Sequence, residues 1–207
     1  MKKAIYIFIF FISQYFFGQQ SNQLWKGYFS YNEIVDVESS TNAVFASTQN
    51  ALFSQVVASS NLNVYNSITG LKPDVITTIH HSDAFNKTFV GNNNGLILIQ
   101  NADGSVTTKV DVIEEVPVPP NKKRINDFFE FNGRLYIATD YGISVINLAT
   151  SEFISTYFIG TSGEETEVLQ TTVFNNEIYA VTRSFGIRKA NLSNPNLFDF
   201  SQWQTFD

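Results

Sequence analysis

The stretch Leu135-Tyr136-Ile137-Ala138-Thr139-Asp140-Tyr141-Gly142-Ile143-Ser144 decides the fold, because similar phrases occur three more times in the chain. Each copy is an apolar run with an aromatic residue in second place, followed by a polar turn and a second apolar run. The aromatic anchors are Phe45, Phe89, Tyr136 and Tyr179, and the turn residues are Ala51, Gly95, Gly142 and Gly186. The anchors are 44, 47 and 43 residues apart. This period predicts β-propeller blades of four short strands each.

The residues around each anchor phrase predict the other strands of the blade. A strand precedes the phrase, and the turn between them is clearest at Asn132-Gly133, where both residues tolerate positive φ. A third strand follows the turn residue, and the weakest, fourth strand is expected at the exposed edge. The fourth strands are predicted at 62–65, 108–112, 154–158 and 202–206. The chain is therefore predicted to be all-β, with four four-stranded antiparallel blades near 33–66, 74–112, 124–158 and 168–206.

One predicted strand is left over at 25–30. Its sequence, Trp25-Lys26-Gly27-Tyr28-Phe29, is similar to Trp203-Gln204-Thr205-Phe206, the predicted outer strand of the fourth blade. Such an orphan outer strand can complete the last blade of a ring. Because the fourth blade already has its own outer strand, we expect these blades to be the first part of a larger propeller that continues beyond Asp207. The alternative is a closed four-bladed ring with a redundant first strand.

The N-terminus predicts a signal peptide over residues 1–18. Met1-Lys2-Lys3 is basic, an apolar run follows from Ala4 to Ile12, and cleavage is expected between Gly18 and Gln19. A membrane anchor is the alternative. Ser13 and Gln14 interrupt the apolar run, which is also short for a span, so export is favoured. We expect the domain 19–207 to work outside the cytoplasm, in the periplasm or on the outer-membrane surface.

The composition narrows the possible functions. The formal net charge is -6 and there is no cysteine. The acidic balance argues against nonspecific binding to nucleic acid or anionic lipid. The absence of cysteine excludes disulfides and Cys-ligated zinc. No nucleophile elbow, phosphate-binding glycine loop or Ser-His-Asp arrangement is recognisable, so no catalytic residue, cofactor or metal is predicted.

The strongest candidate site is a basic cluster at Lys122, Lys123 and Arg124. The preceding Val116-Pro117-Val118-Pro119-Pro120 is stiff, because proline fixes its own φ and restricts the residue before it. This segment leads to the start of an innermost strand, at one mouth of the central channel. Three cations there predict binding of a phosphate or sugar acid, with Arg124 able to bind in a bidentate manner. The alternative is that they only offset neighbouring acids.

Two other clusters are weaker candidates. His80 and His81 are adjacent, so on a strand their side chains point to opposite faces and do not share one metal ion easily. Glu164, Glu165 and Glu167 supply hard oxygen ligands, but their spacing matches no calcium loop, and a solvated acidic loop is favoured.

The residue order resembles the PorZ N-terminal β-propeller family of the type IX secretion system of Bacteroidetes. The matching stretches are 25–36, 119–126, 141–145, 194–197 and 202–204. The resemblance implies a larger surface protein with two seven-bladed propellers and a C-terminal β-sandwich sorting domain. It also implies partners, namely a gingipain-family sortase and outer-membrane barrel proteins, and a non-catalytic scaffold that presents anionic lipopolysaccharide.

Two other functions remain open. The blade phrase also occurs in the sensor propellers of two-component regulators, which would read a periplasmic sugar. A propeller lyase or glycosidase is the second alternative; such an enzyme should carry clustered His, Arg, Tyr and carboxylates at the channel mouth. The two histidines are side by side, which counts against an enzyme.

Overall fold

The computed structural model describes residues 31–59 and 61–206. The predicted signal peptide at 1–18 and the orphan strand at 25–30, with Trp25, lie outside the described residues. Within the described part, no helix has the length and apolar character needed to cross a bilayer.

The described residues form four antiparallel sheets, each of four strands in chain order. The first sheet contains β1 (Asp36–Ser39), β2 (Ala43–Thr48), β3 (Ala51–Val56) and β4 (Leu62–Tyr65); the second contains β5 (Ile76–Ser82), β6 (Lys87–Asn92), β7 (Ile97–Gln100) and β8 (Val106–Lys109). The third contains β9 (Ile125–Phe131), β10 (Arg134–Thr139), β11 (Gly142–Asn147) and β12 (Phe153–Tyr157); the fourth contains β13 (Val168–Phe174), β14 (Glu177–Thr182), β15 (Ile187–Asn191) and β16 (Gln204–Thr205).

The sheets are arranged as consecutive blades of a propeller. The first strands contact one another in the order β1, β5, β9 and β13, so they lie side by side at the inner edge. The predicted all-β fold of four four-stranded blades is confirmed. The four repeated phrases form the second strand of each blade, as the spacing of the aromatic anchors predicts.

The outer strands differ from the prediction in their bounds. Only β4 lies where the sequence places it. β8 lies at 106–109 rather than 108–112, because its ladder with β7 ends at the Ile97–Lys109 pair and Val112 turns into the core, where it is 1% exposed. β12 begins at Phe153, one residue early, beside a register shift in β11. β16 has two residues, since a 3-10 turn (Phe200–Gln202) takes up the start of the predicted strand.

The hydrophobic core lies in three layers, one between each pair of neighbouring blades. Phe45 packs in the first layer, Phe89 in the second and Tyr136 in the third. These three anchors are buried, whereas Tyr179 of the fourth blade is only half-buried. Trp203 is also buried and packs beside Tyr157. The first three anchors therefore occupy equivalent places, each in the layer between its own blade and the next.

Two of the three turn glycines allow a close approach of neighbouring backbone. Gly142 has a φ of 154°, and a Cβ there would collide with the carbonyl oxygen of Tyr157. Gly95, with a φ of 90°, lies against the backbone of Lys123. Gly186 has a φ of 64° but open space around it. All three adopt a positive φ, which favours glycine.

A repeated hydrogen bond joins each middle blade to the next at the inner edge. The ladder between first and second strands is shifted at Thr77 and at Asn126, so neither residue is paired in it. The Thr77 hydroxyl donates to the Ile125 carbonyl at 2.6 Å. The Asn126 side-chain amide donates to the Val168 carbonyl at 2.9 Å. In both cases the acceptor is the first residue of the next blade's inner strand.

Candidate functional site

The candidate site lies where the loops before β9 and β13 meet the turns between second and third strands. The Asp140 amide donates to the Arg124 carbonyl at 3.1 Å, and the Thr166 amide donates to the Tyr141 carbonyl at 3.3 Å. The Arg183 amide likewise donates to the Glu167 carbonyl at 2.9 Å. These backbone bonds gather the two loops and two turns at one edge of the blades, called here the channel mouth.

The structure separates the three predicted cations. Lys122 and Arg124 are exposed, and Arg124 donates from Nε to Asn126 Oδ1 at 3.1 Å. Lys122 lies 3.5 Å from a carboxylate oxygen of Glu165. Lys123 is 3% exposed, so the prediction of three cations available to one ligand is corrected to two.

The side chain of Lys123 is buried because its ammonium group binds backbone carbonyls of the preceding loop. Its Nζ donates to the Ile113 carbonyl at 2.9 Å and also to the Glu115 carbonyl. Burial lowers the pKa of Lys123, and the charges of Glu115 and Glu165 oppose that effect only in part. The Glu115 carboxylate in turn accepts from the Thr156 hydroxyl at 2.7 Å. Lys123 is thus a structural residue of the loop that presents Lys122 and Arg124.

The channel mouth contains a groove made of two adjoining depressions, of about 420 and 500 Å³, which share Lys122 and Glu165. We call the two together the mouth groove. The first depression is also lined by Asp140, Thr166, Glu167, Arg183 and Phe185. The second is also lined by Pro117, Phe158 and Glu164. The stiff proline segment therefore forms one wall.

The two cations of the mouth groove are already paired with carboxylates. Arg183 binds both carboxylate oxygens of Glu167, at 2.8 and 3.1 Å. The hydrogen bonds and charge of Arg183 lower the pKa of Glu167 despite some burial. Sequence reasoning missed Arg183 and treated Glu167 as part of a solvated loop. The only available signal was the position of Arg183 in the fourth repeat's turn, equivalent to Asp140 in the third.

The adjacent histidines point to different surroundings, as expected on a strand. The ring nitrogens of His80 lie 3.2 Å from Glu38 and 3.0 Å from Glu130, so this residue bridges three blades. His81 stacks on Phe45 with ring centroids 4.2 Å apart and contacts the Thr88 hydroxyl. In the described part of the chain, no group of three or more His, Asp or Glu side chains is arranged to hold a metal ion.

A further cavity, of about 520 Å³, lies against β9 and β13. Asp127 lines it, and burial raises the pKa of this carboxyl to about 6, although backbone hydrogen bonds from Phe128 and Thr171 oppose the shift. The other walls are largely apolar and include Phe129, Tyr179 and Val181. An apolar cavity with one perturbed carboxyl has features of a ligand site.

Comparison with known proteins places this architecture in a family. The family described as TSS9, PorZ, N-terminal beta-propeller domain matches residues 44–204. No curated protein matches the chain. Among solved structures, PorZ of Porphyromonas gingivalis, described as an essential bacterial surface component of the type IX secretion system, is similar with a TM-score of 0.73 and 18% identity. That match covers 88% of this chain and 24% of PorZ.

Two other similar structures come from B. thetaiotaomicron. Both are extracellular domains of candidate hybrid two-component systems. One has a TM-score of 0.68 and 18% identity, covering 88% of this chain and 24% of the other. The second has a TM-score of 0.63 and 16% identity, and the match covers 84% of this chain and 22% of the other. These likenesses establish the fold alone, and the chain spans about a quarter of each structure. The family match extends over most of the chain, and the chain therefore belongs to the PorZ N-terminal β-propeller family of the type IX secretion system.

Proposed function

We propose that this chain is an exported, non-catalytic scaffold of the type IX secretion system at the cell surface. The observation that carries the proposal is the family match over residues 44–204. The predicted signal peptide at 1–18 supports export. The paired charges of the mouth groove support a binding role, because the lowered pKa of Glu167 makes its carboxyl a poor general acid.

The proposed partners are the attachment-complex proteins that the family resemblance implies, namely the sortase and outer-membrane barrel proteins. Lys122 and Arg124 are proposed to contact an anionic group of lipopolysaccharide. Both side chains are exposed beside the channel mouth, and the buried Lys123 fixes the loop that carries them. Arg124 supplies the planar guanidinium that suits phosphate and carboxylate.

The test is made with the native protein, tagged in its own host. Arg124→Gln should reduce co-purification of anionic lipopolysaccharide, while the partner proteins still co-purify. Arg134→Gln is the matched control, because Arg134 is also exposed but begins β10, at the opposite end of the blade. Equal lipopolysaccharide recovery from the two variants would contradict the role of Arg124. Absence of every attachment-complex protein would contradict the scaffold itself.

A sensor propeller of a two-component regulator is the second candidate, and the fold similarity to the B. thetaiotaomicron extracellular domains favours it over an enzyme. Fractionation of cells that contain the native protein distinguishes the scaffold from the sensor. Recovery of the native protein with the outer membrane or cell surface supports the scaffold, whereas recovery with the inner membrane supports the sensor. A propeller lyase or glycosidase would instead be revealed by shortening of a polysaccharide substrate.

A further inference from the structure

The mouth groove offers fixed donors and acceptors side by side. Lys122 with Glu165 and Arg183 with Glu167 form two ion pairs within it. The second pair is bidentate, which holds the guanidinium and carboxylate in one plane. A ligand therefore meets both a donor and an acceptor at each pair without having to move them apart.

The charge balance of the groove disfavours a charged ligand. Four carboxylates outnumber the two cations, and Asp140 accepts a hydrogen bond from Asn126 rather than from a cation. An anionic ligand would meet this acidic excess and would compete for cations that are already paired. Asp140 and Glu164 accept hydrogen bonds from neutral groups of the chain, and Glu165 and Glu167 are paired with Lys122 and Arg183, so a cationic ligand would have to displace a donor from one of these carboxylates. An uncharged ligand with many hydroxyl groups has neither cost, because a hydroxyl both donates and accepts.

Two further features suit such a ligand. Thr166 lines the groove and is 4% exposed, and its hydroxyl has no hydrogen-bond partner among the described residues. A buried polar group left unpaired costs free energy that a ligand hydroxyl would recover. Phe185 and Phe158 lie in the two halves of the groove, where each supplies an apolar surface for a sugar ring.

From these contacts we propose that the mouth groove binds an uncharged oligosaccharide segment. The two ion pairs bind ring hydroxyls, Thr166 binds one more, and the phenylalanines pack on the sugar faces. The groove shares Lys122 with the anionic contact proposed above, but Arg124, the residue on which that contact is tested, does not line the groove.

The test uses uncharged oligosaccharides of six sugars, namely maltohexaose, mannohexaose and cellohexaose, each added separately to the full chain. Saturation-transfer NMR detects binding, and titration measures the affinity. Phe185→Ala should weaken binding about ten-fold through loss of the stacked ring. Phe198→Ala is the matched control, since Phe198 is 65% exposed outside the groove and its loss should leave affinity unchanged. Affinity should be the same at low and high salt, because the ligand carries no charge.

A second variant keeps the test independent of folding. Thr166→Val preserves shape and removes an unpartnered hydroxyl, so the melting temperature should not fall while affinity drops about five-fold. The proposal is overturned if no neutral hexaose binds, or if binding is the same in wild type, Phe185→Ala and Thr166→Val. It is also overturned if dextran sulfate or hexalysine, but no neutral sugar, binds in a salt-sensitive manner that these variants abolish.

Discussion

His80 Nε2 lies 3.0 Å from a carboxylate oxygen of Glu130, although the two residues are 50 positions apart in the chain. The other ring nitrogen lies 3.2 Å from Glu38. Both nitrogens donate only when the imidazole is protonated. Burial by itself lowers the pKa of His80, but hydrogen bonds and charge from the two glutamates outweigh it and raise the pKa. When it is protonated, His80 can therefore donate to both glutamates and link the inner strands of three blades.

This link predicts a pH-dependent stability. Because the folded pKa of His80 exceeds the unfolded value of about 6.5, its contribution is complete below that pH and is lost as the pH rises through the folded pKa. We expect the difference in free energy of unfolding between wild type and His80→Gln to shrink from about pH 6.5 upward. Denaturant titrations across that range measure it.

The neighbouring histidine is the control. Burial lowers the pKa of His81, with only partial opposition from Asp83, so its contribution is present above the unfolded pKa and lost as the pH falls. The pH dependence for His81→Gln should therefore have the opposite sign. A His80→Gln difference that is flat with pH would show that the histidine is not charged in the folded protein.

The hydrogen bonds of Thr77 and Asn126 predict a loss of stability when either donor is removed. Thr77→Val should cost about 1–2 kcal/mol, and Asn126→Leu about 2 kcal/mol, since each leaves a buried carbonyl of the next blade without its donor. Thr172→Val provides the control because Thr172 is exposed on β13. The stabilities are compared by denaturant titration. If the midpoints of the three variants agree within error, Thr77 and Asn126 do not stabilise the contact between neighbouring blades.

Replacing glycine by alanine should cost different amounts of stability at two of the turn glycines. Gly142→Ala should lose more than about 2 kcal/mol, because the new Cβ meets the Tyr157 carbonyl and the strands must separate. Gly186→Ala should lose only about 1 kcal/mol, from positive φ alone, since nothing lies within 4 Å. Thermal melts compare the variants. Equal losses would mean that backbone strain, not the close approach of β12, selects glycine at position 142.

Substitution of the two lysines of the basic cluster should change the stability of the protein by different amounts. Lys123→Met should cost about 2 kcal/mol or more, because the loop carbonyls of Ile113 and Glu115 lose a charged donor. Lys122→Met should change stability by less than about 0.5 kcal/mol, as expected for an exposed ion pair. Unfolding free energies of the two variants decide this, and a greater loss for Lys122→Met would reverse the assignment.

The strand pattern was predictable because its causes are local. Anchor, turn and apolar run lie within ten residues, and a hairpin such as Asn132-Gly133 acts through the backbone of its own residues, with φ values of 49° and 71°. The short outer strands were less predictable. The β-branched side chain of Val112 is typical of a strand residue. In the structure Val112 is instead buried between two blades, and this contact depends on residues that are distant in sequence.

The candidate site was predictable only in part for the same reason. The proline segment at 116–120 does lead to an inner strand, β9, as the sequence predicts, whereas its stiffness stays a prediction. Nothing local distinguishes Lys123 from Lys122, because the carbonyls that bury Lys123 belong to a turn eight to ten residues earlier. The pairing of Arg183 with Glu167 joins a turn to a loop 16 residues earlier, and it depends on the register in which β13 pairs with β14, where Val168 lies opposite Thr182.

The link at Thr77 and Asn126 has a consequence for how such a chain gains repeats. The donor belongs to one blade, while the acceptor is a backbone carbonyl that any following blade possesses. A duplicated copy of either middle blade would thus bring its own connector and need no matching side chain in its neighbour. The fourth blade has Leu169 at the equivalent position, skipped in the β13 ladder, and leucine has no side-chain donor. The second and third blades are therefore the better templates for lengthening the propeller by duplication.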